Sequence, residues 1–210
     1  MSSSKKLPLG ILASGRGSNL QSILDASQSG QLDAQVAVVI SDNIHAQALD
    51  RARKMGIPAV VCERSHFASK EAFEQSIVKE LHRHHVELVC LAGFMRLIGK
   101  TLLTAYPHKI LNIHPALLPA FPGLSAQSQA LDYGVKVAGC TVHIVDDRVD
   151  HGPIILQSAV EVRDDDTVDA LSARILEEEH RIYPQAIQLF AENRVRMEGR
   201  HIKLRSKGET

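Results

Sequence analysis

The sequence predicts an α/β fold: a Rossmann-like, mostly parallel twisted sheet flanked by helices, with antiparallel strands in the C-terminal part. Three observations lead there. Short apolar runs alternate with segments of helical periodicity through the first half of the chain. A glycine-rich turn, Ser14-Gly-Arg-Gly-Ser-Asn19, joins the first apolar run to the first helix. Two β-like runs, Lys136–Asp146 and Ile154–Val162, follow one another with only a loop between them, and consecutive strands joined so are antiparallel.

Size and composition fit one domain over residues 1–210, with halves at about 7–106 and 107–192 and a tail at 193–210. Lys and Arg number 24, as do Asp and Glu, so no net field draws in nucleic acid or a membrane surface. Trp is absent and aromatics are 4%, which argues against stacking platforms for single strands. No apolar run is long enough to span a membrane. The start, Met-Ser-Ser-Ser-Lys-Lys, reads as a short solvated tail, and the apolar run after it is too short for a signal-peptide core. Cys62, Cys90 and Cys140 are far apart and read as reduced packing residues of a cytoplasmic protein.

Each element follows from local pattern. Leu7–Ala13 is a buried strand, and Leu20, Ile23 and Leu24 share one face of the helix after the turn. Strand, glycine turn and helix together aim backbone N–H groups and a helix dipole at an anion, with Ser18 or Asn19 as N-cap or direct phosphate donor. The turn is not a Walker loop. It is also an incomplete dinucleotide fingerprint, because Leu20 stands where a third glycine belongs, so a monophosphate is favoured over a pyrophosphate. Ala34–Ile40 and Ala59–Cys62 are further strands, separated by a helix at Ala46–Lys54. A helix from about Lys70 to His84 turns Phe73, Ile77, Val78 and Leu81 inward. His82, His84 and His85 close it; a helix dipole favours basic groups there, and no carboxylate or cysteine pattern supports a metal. Leu88–Ala92 is a fourth strand, and the loop Gly93-Phe-Met-Arg-Leu-Ile98 can line an apolar pocket with Arg96 as its polar handle. After a helix at Lys100–Tyr106 comes the strand Ile110–His114. A helix follows at Ala126–Tyr133, and another, capped by Asp164-Asp-Asp-Thr167, runs from Val168 to about Asn193. In the latter, Glu177-Glu-Glu-His-Arg181 reads as a mostly solvated face, and Arg194–Leu204 as a terminal hairpin.

The strand Ile110–His114 carries the chemistry. Side chains two apart share a face, so Asn112 and His114 point together while Leu111 and Ile113 pack. Pro115 keeps His114 extended. The plain alternative is a pair of polar groups capping a loop. The phosphate turn, the Gly93–Ile98 loop and this pair are all expected at the carboxyl ends of the strands, where open α/β sheets bind ligands. An amide that can donate to an oxyanion beside a proton-moving imidazole suits acyl transfer. A nearby aspartate would orient the imidazole and raise its pKa; Asp146, Asp147 and Asp150 are the candidates. No Ser or Cys sits in a nucleophile elbow, which favours direct attack by a substrate nucleophile.

Several motifs then match a known family in order. They are Ser14–Leu20, Leu91-Ala-Gly-Phe-Met-Arg96, Asn112-Ile-His-Pro-Ala-Leu-Leu-Pro-Ala-Phe-Pro-Gly123, Gly139-Cys-Thr-Val-His143, Asp150-His-Gly-Pro-Ile154 and Glu179-His-Arg-Ile-Tyr-Pro184. Together they resemble the phosphoribosylglycinamide formyltransferases, the folate-dependent glycinamide ribonucleotide transformylases of purine synthesis, over nearly the whole chain. The resemblance implies the formyltransferase fold, with a phosphate-binding first half and a catalytic and folate-site second half. It also implies 10-formyltetrahydrofolate as co-substrate without a metal, and formyl transfer to the amine of glycinamide ribonucleotide. It assigns catalysis to Asn112, His114 and Asp150, and the ribonucleotide to Gly17, Ser18, Asn19 and Glu179. The folate falls to Lys70, Met95, Arg96, Leu97, Ile98 and Asn112. It further implies a cis bond at Leu118-Pro119. This chain departs from the family pattern at Ser125-Ala-Gln-Ser128 and at His151, where a smaller residue is commoner.

Rival readings are a formyltetrahydrofolate hydrolase, expected to carry an extra N-terminal regulatory domain, and a methionyl-tRNA formyltransferase, expected to carry a C-terminal domain and a basic surface. A non-catalytic phosphate-ligand sensor would need Gly17–Asn19 but not the three catalytic residues together. The expected partners are the two small substrates, with no nucleic acid and no membrane. The oligomeric state, a homodimer included, is left open.

Overall fold

The computed structural model describes residues 6–206, so the N-terminal tail reading falls, but for Lys6, outside the described residues. Among the described residues, nine strands form a seven-stranded sheet in the order β3-β2-β1-β4-β5-β6-β7 and a separate two-stranded one. They are β1 (Leu7–Leu12), β2 (Ala34–Ser41), β3 (Ala59–Val61), β4 (Leu88–Leu91), β5 (Ile110–His114), β6 (Val137–Ile144), β7 (Ile154–Glu161), β8 (Val195–Glu198) and β9 (His201–Leu204). β1 pairs in parallel with β2 and β4, and β2 with β3, whereas β6 and β7 are antiparallel. This is the mostly parallel sheet with an antiparallel C-terminal part that the sequence pattern predicts. The chain divides into two compact units, the first ending at Leu111 and the second beginning at Asn112.

In the first unit, α1 (Ser18–Gln28), α2 (Gln47–Lys54), α3 (Lys70–Arg83) and α4 (Lys100–Ala105) connect the strands. β1 and β4 read as continuous apolar runs because they are buried on both faces; Leu9, Ile11, Leu12 and Val89 have no exposed surface. Each such Leu or Ile contributes roughly 1.5–3 kcal/mol by leaving water. Two details differ from expectation. A 3-10 turn at Arg64–His66 precedes α3, which Ser69 caps by accepting from Ala72 N at 3.1 Å. Glu74 lies on the buried side of α3 and caps α4: its Oε1 accepts from Gly99 N at 2.6 Å and its Oε2 from Leu102 N at 3.3 Å. A carboxylate there satisfies orphan donors and complements the positive end of the helix dipole.

The second unit holds α5 (Ala126–Tyr133), β6, β7 and the long α6 (Val168–Ala191), which packs on both strands, with the hairpin β8–β9 at its end. Thr167 caps α6 by accepting from Ala170 N at 3.2 Å, and the helix runs on through Pro184. The solvated reading of Glu177–Arg181 needs correction. Glu179 is buried, and Glu178 accepts from Ser158 Oγ at 2.5 Å and from Arg181; these bonds, that of Ser158 foremost, hold its carboxyl below the ordinary value. Alternate residues of β7 face α6, so a hydroxyl at Ser158 draws that carboxylate inward. Cys62, Cys90 and Cys140 are all buried and free. Burial, with Glu179 and Glu178 nearby, pushes the Cys140 thiol up to about 12.

Candidate active site

The chemistry-bearing groups of the second unit gather around the end of β5. His114 is 4% exposed. Its Nε2 lies 2.9 Å from the Phe121 carbonyl oxygen and its Nδ1 3.3 Å from Asp150 Oδ2. The ring therefore stands between two oxygens. A neutral imidazole has one N–H and one lone pair, so it satisfies one of them and turns its lone pair on the other. Only the imidazolium donates to both.

Asp150 anchors the cluster. Its Oδ2 accepts from Gly123 N at 2.8 Å, and its Oδ1 accepts from Asn112 Nδ2 at 3.3 Å. Burial pushes its carboxyl up, but His143, the Gly123 N–H and His114 outweigh burial and hold the carboxyl below its ordinary value. Among the three aspartates left open by spacing, Asp150 is the one that meets Asn112 and His114. Asp146 instead binds His151 Nδ1 at 2.8 Å and Arg148 N at 3.0 Å. The expected upward pull of an aspartate on His114 is present, but it does not set the sign of the shift. Burial lowers it, and the opposing pull of the Phe121 carbonyl and Asp150 does not overcome burial, to which His143 adds.

His143 is the residue that reading the sequence for chemistry missed. It lies on β6, 2% exposed, with Nε2 3.2 Å from Asn112 Nδ2 and 3.6 Å from Asp150 Oδ1. Its Nδ1 is 3.1 Å from the Ile144 carbonyl oxygen, and its Nε2 stands between the Asn112 amide, from which a lone pair there accepts, and the Asp150 carboxylate, to which an N–H there donates. The available signal was period-two: Thr141 and His143 are polar residues two apart in the apolar run of β6, the same mark that singled out Asn112 and His114. Thr141 braces the strand-to-loop turn, donating to the Ala116 carbonyl at 2.6 Å while accepting from Leu118 N at 3.0 Å. The Leu118-Pro119 bond that follows is cis, as the resemblance implies.

In the first unit, Gly17 corrects the N-cap expectation. It is the cap of α1 itself, at φ 69°, while Ser18 and Asn19 begin the helix. A Cβ at Gly17 would sit 2.8 Å from the Ala48 Cβ, and left-handed φ disfavours any side chain there. The turn is pinned by α2 and its approach: Ala48 N donates to Gly15 O at 3.1 Å, and Arg51 Nε to Arg16 O at 2.9 Å. The result is a fixed helix N-terminus whose first-turn N–H groups suit an anion.

The Gly93–Ile98 loop is tied to the same turn. Ser14 N donates to Gly93 O at 3.0 Å, and Met95 N donates to Ser14 Oγ at 2.9 Å. Arg96 pairs with Asp42 at 2.6 Å, so its charge is already matched. Met95 and Leu97 are left 68% and 66% exposed, apolar side chains held out by a pinned backbone. Ile98 is half-buried, and Lys70 at the start of α3 lies 3.8 Å from Glu74. At the far end of α3, the His82 ring packs on Tyr106 and His84 lies 4.0 Å from Glu80. Among the described residues no group of three or more His, Cys, Asp or Glu is placed to hold a metal, and no helix is long and apolar enough to cross a membrane.

Comparison with known proteins gives three kinds of likeness. A model of the formyl transferase family matches residues 9–187. The phosphoribosylglycinamide formyltransferase of Bacillus subtilis (strain 168) is 48% identical over 178 residues, which is 85% of this chain and 91% of that protein. The crystal structure of glycinamide ribonucleotide transformylase 1 from Symbiobacterium toebii aligns with a TM-score of 0.94 at 54% identity, covering 96% of this chain and 95% of the other. A formyltetrahydrofolate deformylase from Pseudomonas syringae pv. tomato str. DC3000 aligns with a TM-score of 0.89 at 27% identity, covering 97% of this chain and 67% of its own.

Proposed function

We propose, on the premise that this chain belongs to the formyl transferase family, that it moves the formyl group of 10-formyltetrahydrofolate to the amine of glycinamide ribonucleotide, in purine biosynthesis. The observation that carries the reading is the buried constellation of His114 between Asp150 and the Phe121 carbonyl, with the Asn112 amide on the same carboxylate.

The amine attacks the formyl carbon, and the carbonyl oxygen gains charge. Asn112 donates an N–H to that oxyanion, giving up its long 3.3 Å bond to Asp150 while His143 keeps the amide oriented. His114 enters neutral, because burial lowers its pKa, and takes up the proton shed by the attacking nitrogen by way of water and the Asp150 carboxylate that its Nδ1 faces. The imidazolium so formed donates to Asp150 and to Phe121 and is stabilised by both. It then returns the proton to the departing folate nitrogen, releasing tetrahydrofolate and the formylated ribonucleotide. Gly17, Ser18 and Asn19 offer the N-terminus of α1 to the phosphate, and the buried Glu179 meets the sugar. Met95, Leu97 and Ile98 offer apolar surface to the pterin, with Arg96, Asn112 and Lys70 as its polar neighbours. No metal, nucleic acid or membrane enters this reaction.

Because a deformylase shares the fold, the fold does not decide the acceptor. The deciding assay incubates the protein with 10-formyltetrahydrofolate, with and without glycinamide ribonucleotide, and follows tetrahydrofolate release. Release only with the ribonucleotide is expected. Release without it makes the protein a hydrolase, and no release under either condition makes it a binding protein.

A further inference from the structure

The hairpin β8–β9 lies beyond residue 187, where the match to the family model ends. Its turn nevertheless grips the loop that carries Asp150. Arg200 Nη2 donates to the His151 carbonyl oxygen at 2.6 Å, and Arg200 Nη1 lies 3.4 Å and 3.5 Å from the two nitrogens of the His151 ring. The same ring binds Asp146 at the start of the loop. The residue directly after Asp150 is thus held through its backbone by the hairpin and through its side chain by the loop.

The loop is one that needs holding. Asp150 itself has φ 46°, in the left-handed region. Two residues on, a Cβ at Gly152 would lie 1.7 Å from the Ile144 carbonyl oxygen, so the backbone there passes directly against β6. Ile144 N donates to Pro153 O at 2.8 Å and fixes the loop's end. Between Gly152, held against β6, and Asp150 stands His151. The hairpin can serve as its anchor because the hairpin is itself clipped at its base. Arg205 N donates to Arg194 O at 2.9 Å, Arg194 Nε donates back to Arg205 O at 2.7 Å, and β9 packs against β7.

We propose that Arg200 is a positioning residue: it straps the loop through the His151 carbonyl and sets the fraction of molecules in which Asp150 faces His114. The inference rests on the reading that Asp150 serves His114. A guanidinium-to-carbonyl bond is charge-assisted and directional, but this one is exposed, so water replaces part of it.

The test compares Arg200→Ala, Arg200→Lys and Asp150→Asn by steady-state formyl transfer, by NMR titration of the His114 ring and by thermal melting. Arg200→Ala is expected to lower kcat about three- to tenfold. It should leave both KM values within about twofold, because no substrate contact is lost. It should also move the His114 titration further down, because the carboxylate that raises it is displaced, with the melting temperature unchanged. Arg200→Lys should recover most of the loss. If Arg200→Ala keeps the parent kcat and titration while Asp150→Asn is inactive, the strap is wrong and the role of Asp150 stands. A kcat loss that leaves the His114 titration in place, or that tracks a fall in melting temperature, also overturns it. If Asp150→Asn is fully active, the role of Asp150 falls, and a moved titration in Arg200→Ala still establishes the strap.

Discussion

Replacing Asp150 by Asn removes one charge and almost no volume, and the cluster converts that into a specific loss. The carboxylate oxygens face three donors or potential donors: Gly123 N at 2.8 Å, Asn112 Nδ2 at 3.3 Å and His114 Nδ1 at 3.3 Å. An amide offers one oxygen and one NH2, so at least one donor then meets another donor. In the proposed mechanism, the larger effect falls on the imidazolium formed at His114 during transfer. At 3.3 Å a unit charge pair is worth about 5 kcal/mol with an effective dielectric of 20. Water and rearranged dipoles take back roughly a fifth to a half, leaving about 2.5–4 kcal/mol, or on the order of 10²–10³ in turnover at 1.36 kcal/mol per tenfold. Single-turnover transfer from 10-formyltetrahydrofolate measures the chemical step, and equilibrium titration with the ribonucleotide measures binding. Turnover should fall by that factor with ribonucleotide affinity within about threefold, since no group assigned to the phosphate or sugar is touched. A variant within tenfold of the parent rate would refute the assignment of Asp150 as the group that stabilises the charged ring.

Four further outcomes follow from the structure. Because burial holds His114 below its ordinary 6.5, kcat/KM should be flat at neutral pH and fall on acidification below pH 6.5, as the ring is protonated before substrate arrives. The same shift makes the unfolded chain bind the proton more readily, so this group's contribution to stability is intact above 6.5 and is lost as pH falls through the folded value; an acid limb with no such fall contradicts it. Gly152→Ala should abolish most transfer and lower the melting temperature, because its Cβ would lie 1.7 Å from a carbonyl oxygen that belongs to β6; parent-like activity would show that the loop moves without consequence. Glu74→Gln should cost about 1–3 kcal/mol, seen as a lower urea midpoint at unchanged slope, since an NH2 would face the Gly99 or Leu102 N–H in a buried cap.

Most of the fold was legible because its signals are local. Apolar runs of four to eight residues gave the strands, helical spacing gave the helices, and the adjacency of β6 and β7 gave the antiparallel edge. What escaped depends on neighbours distant in sequence. Glu74 looks like an ordinary exposed helical carboxylate until Gly99, 25 residues on, presents its N–H. Gly17, not Ser18 or Asn19, caps α1 because Ala48 leaves no room for a side chain, and nothing near residue 17 announces Ala48. At the site, Asn112 and His114 were readable from alternation on one strand, but the choice of Asp150 over Asp146 is made by which carboxylate the loop turns inward. His143 bears the same period-two mark as His114, but a single imidazole in an apolar run is more often a satisfied core group than a working one, so alternation alone does not single it out.

The position of His114 between two oxygens explains why burial and charge both belong at this site. Burial alone would make the ring a poor proton acceptor, with a pKa too low to act near neutrality. The Asp150 carboxylate and the Phe121 carbonyl alone would trap it as an imidazolium that has no capacity to take a further proton. Set against each other, they narrow the gap between the two forms, so the ring can take a proton and return it within one turnover. The Phe121 carbonyl contributes to this balance without carrying charge, and Gly123, two residues on, donates to Asp150. One loop therefore supports both members of the pair, so substitutions that shift the backbone at 121–123 should move the His114 titration and the rate together. A backbone change there that alters the rate while leaving the titration in place would separate the two and show that the balance is not what governs proton transfer.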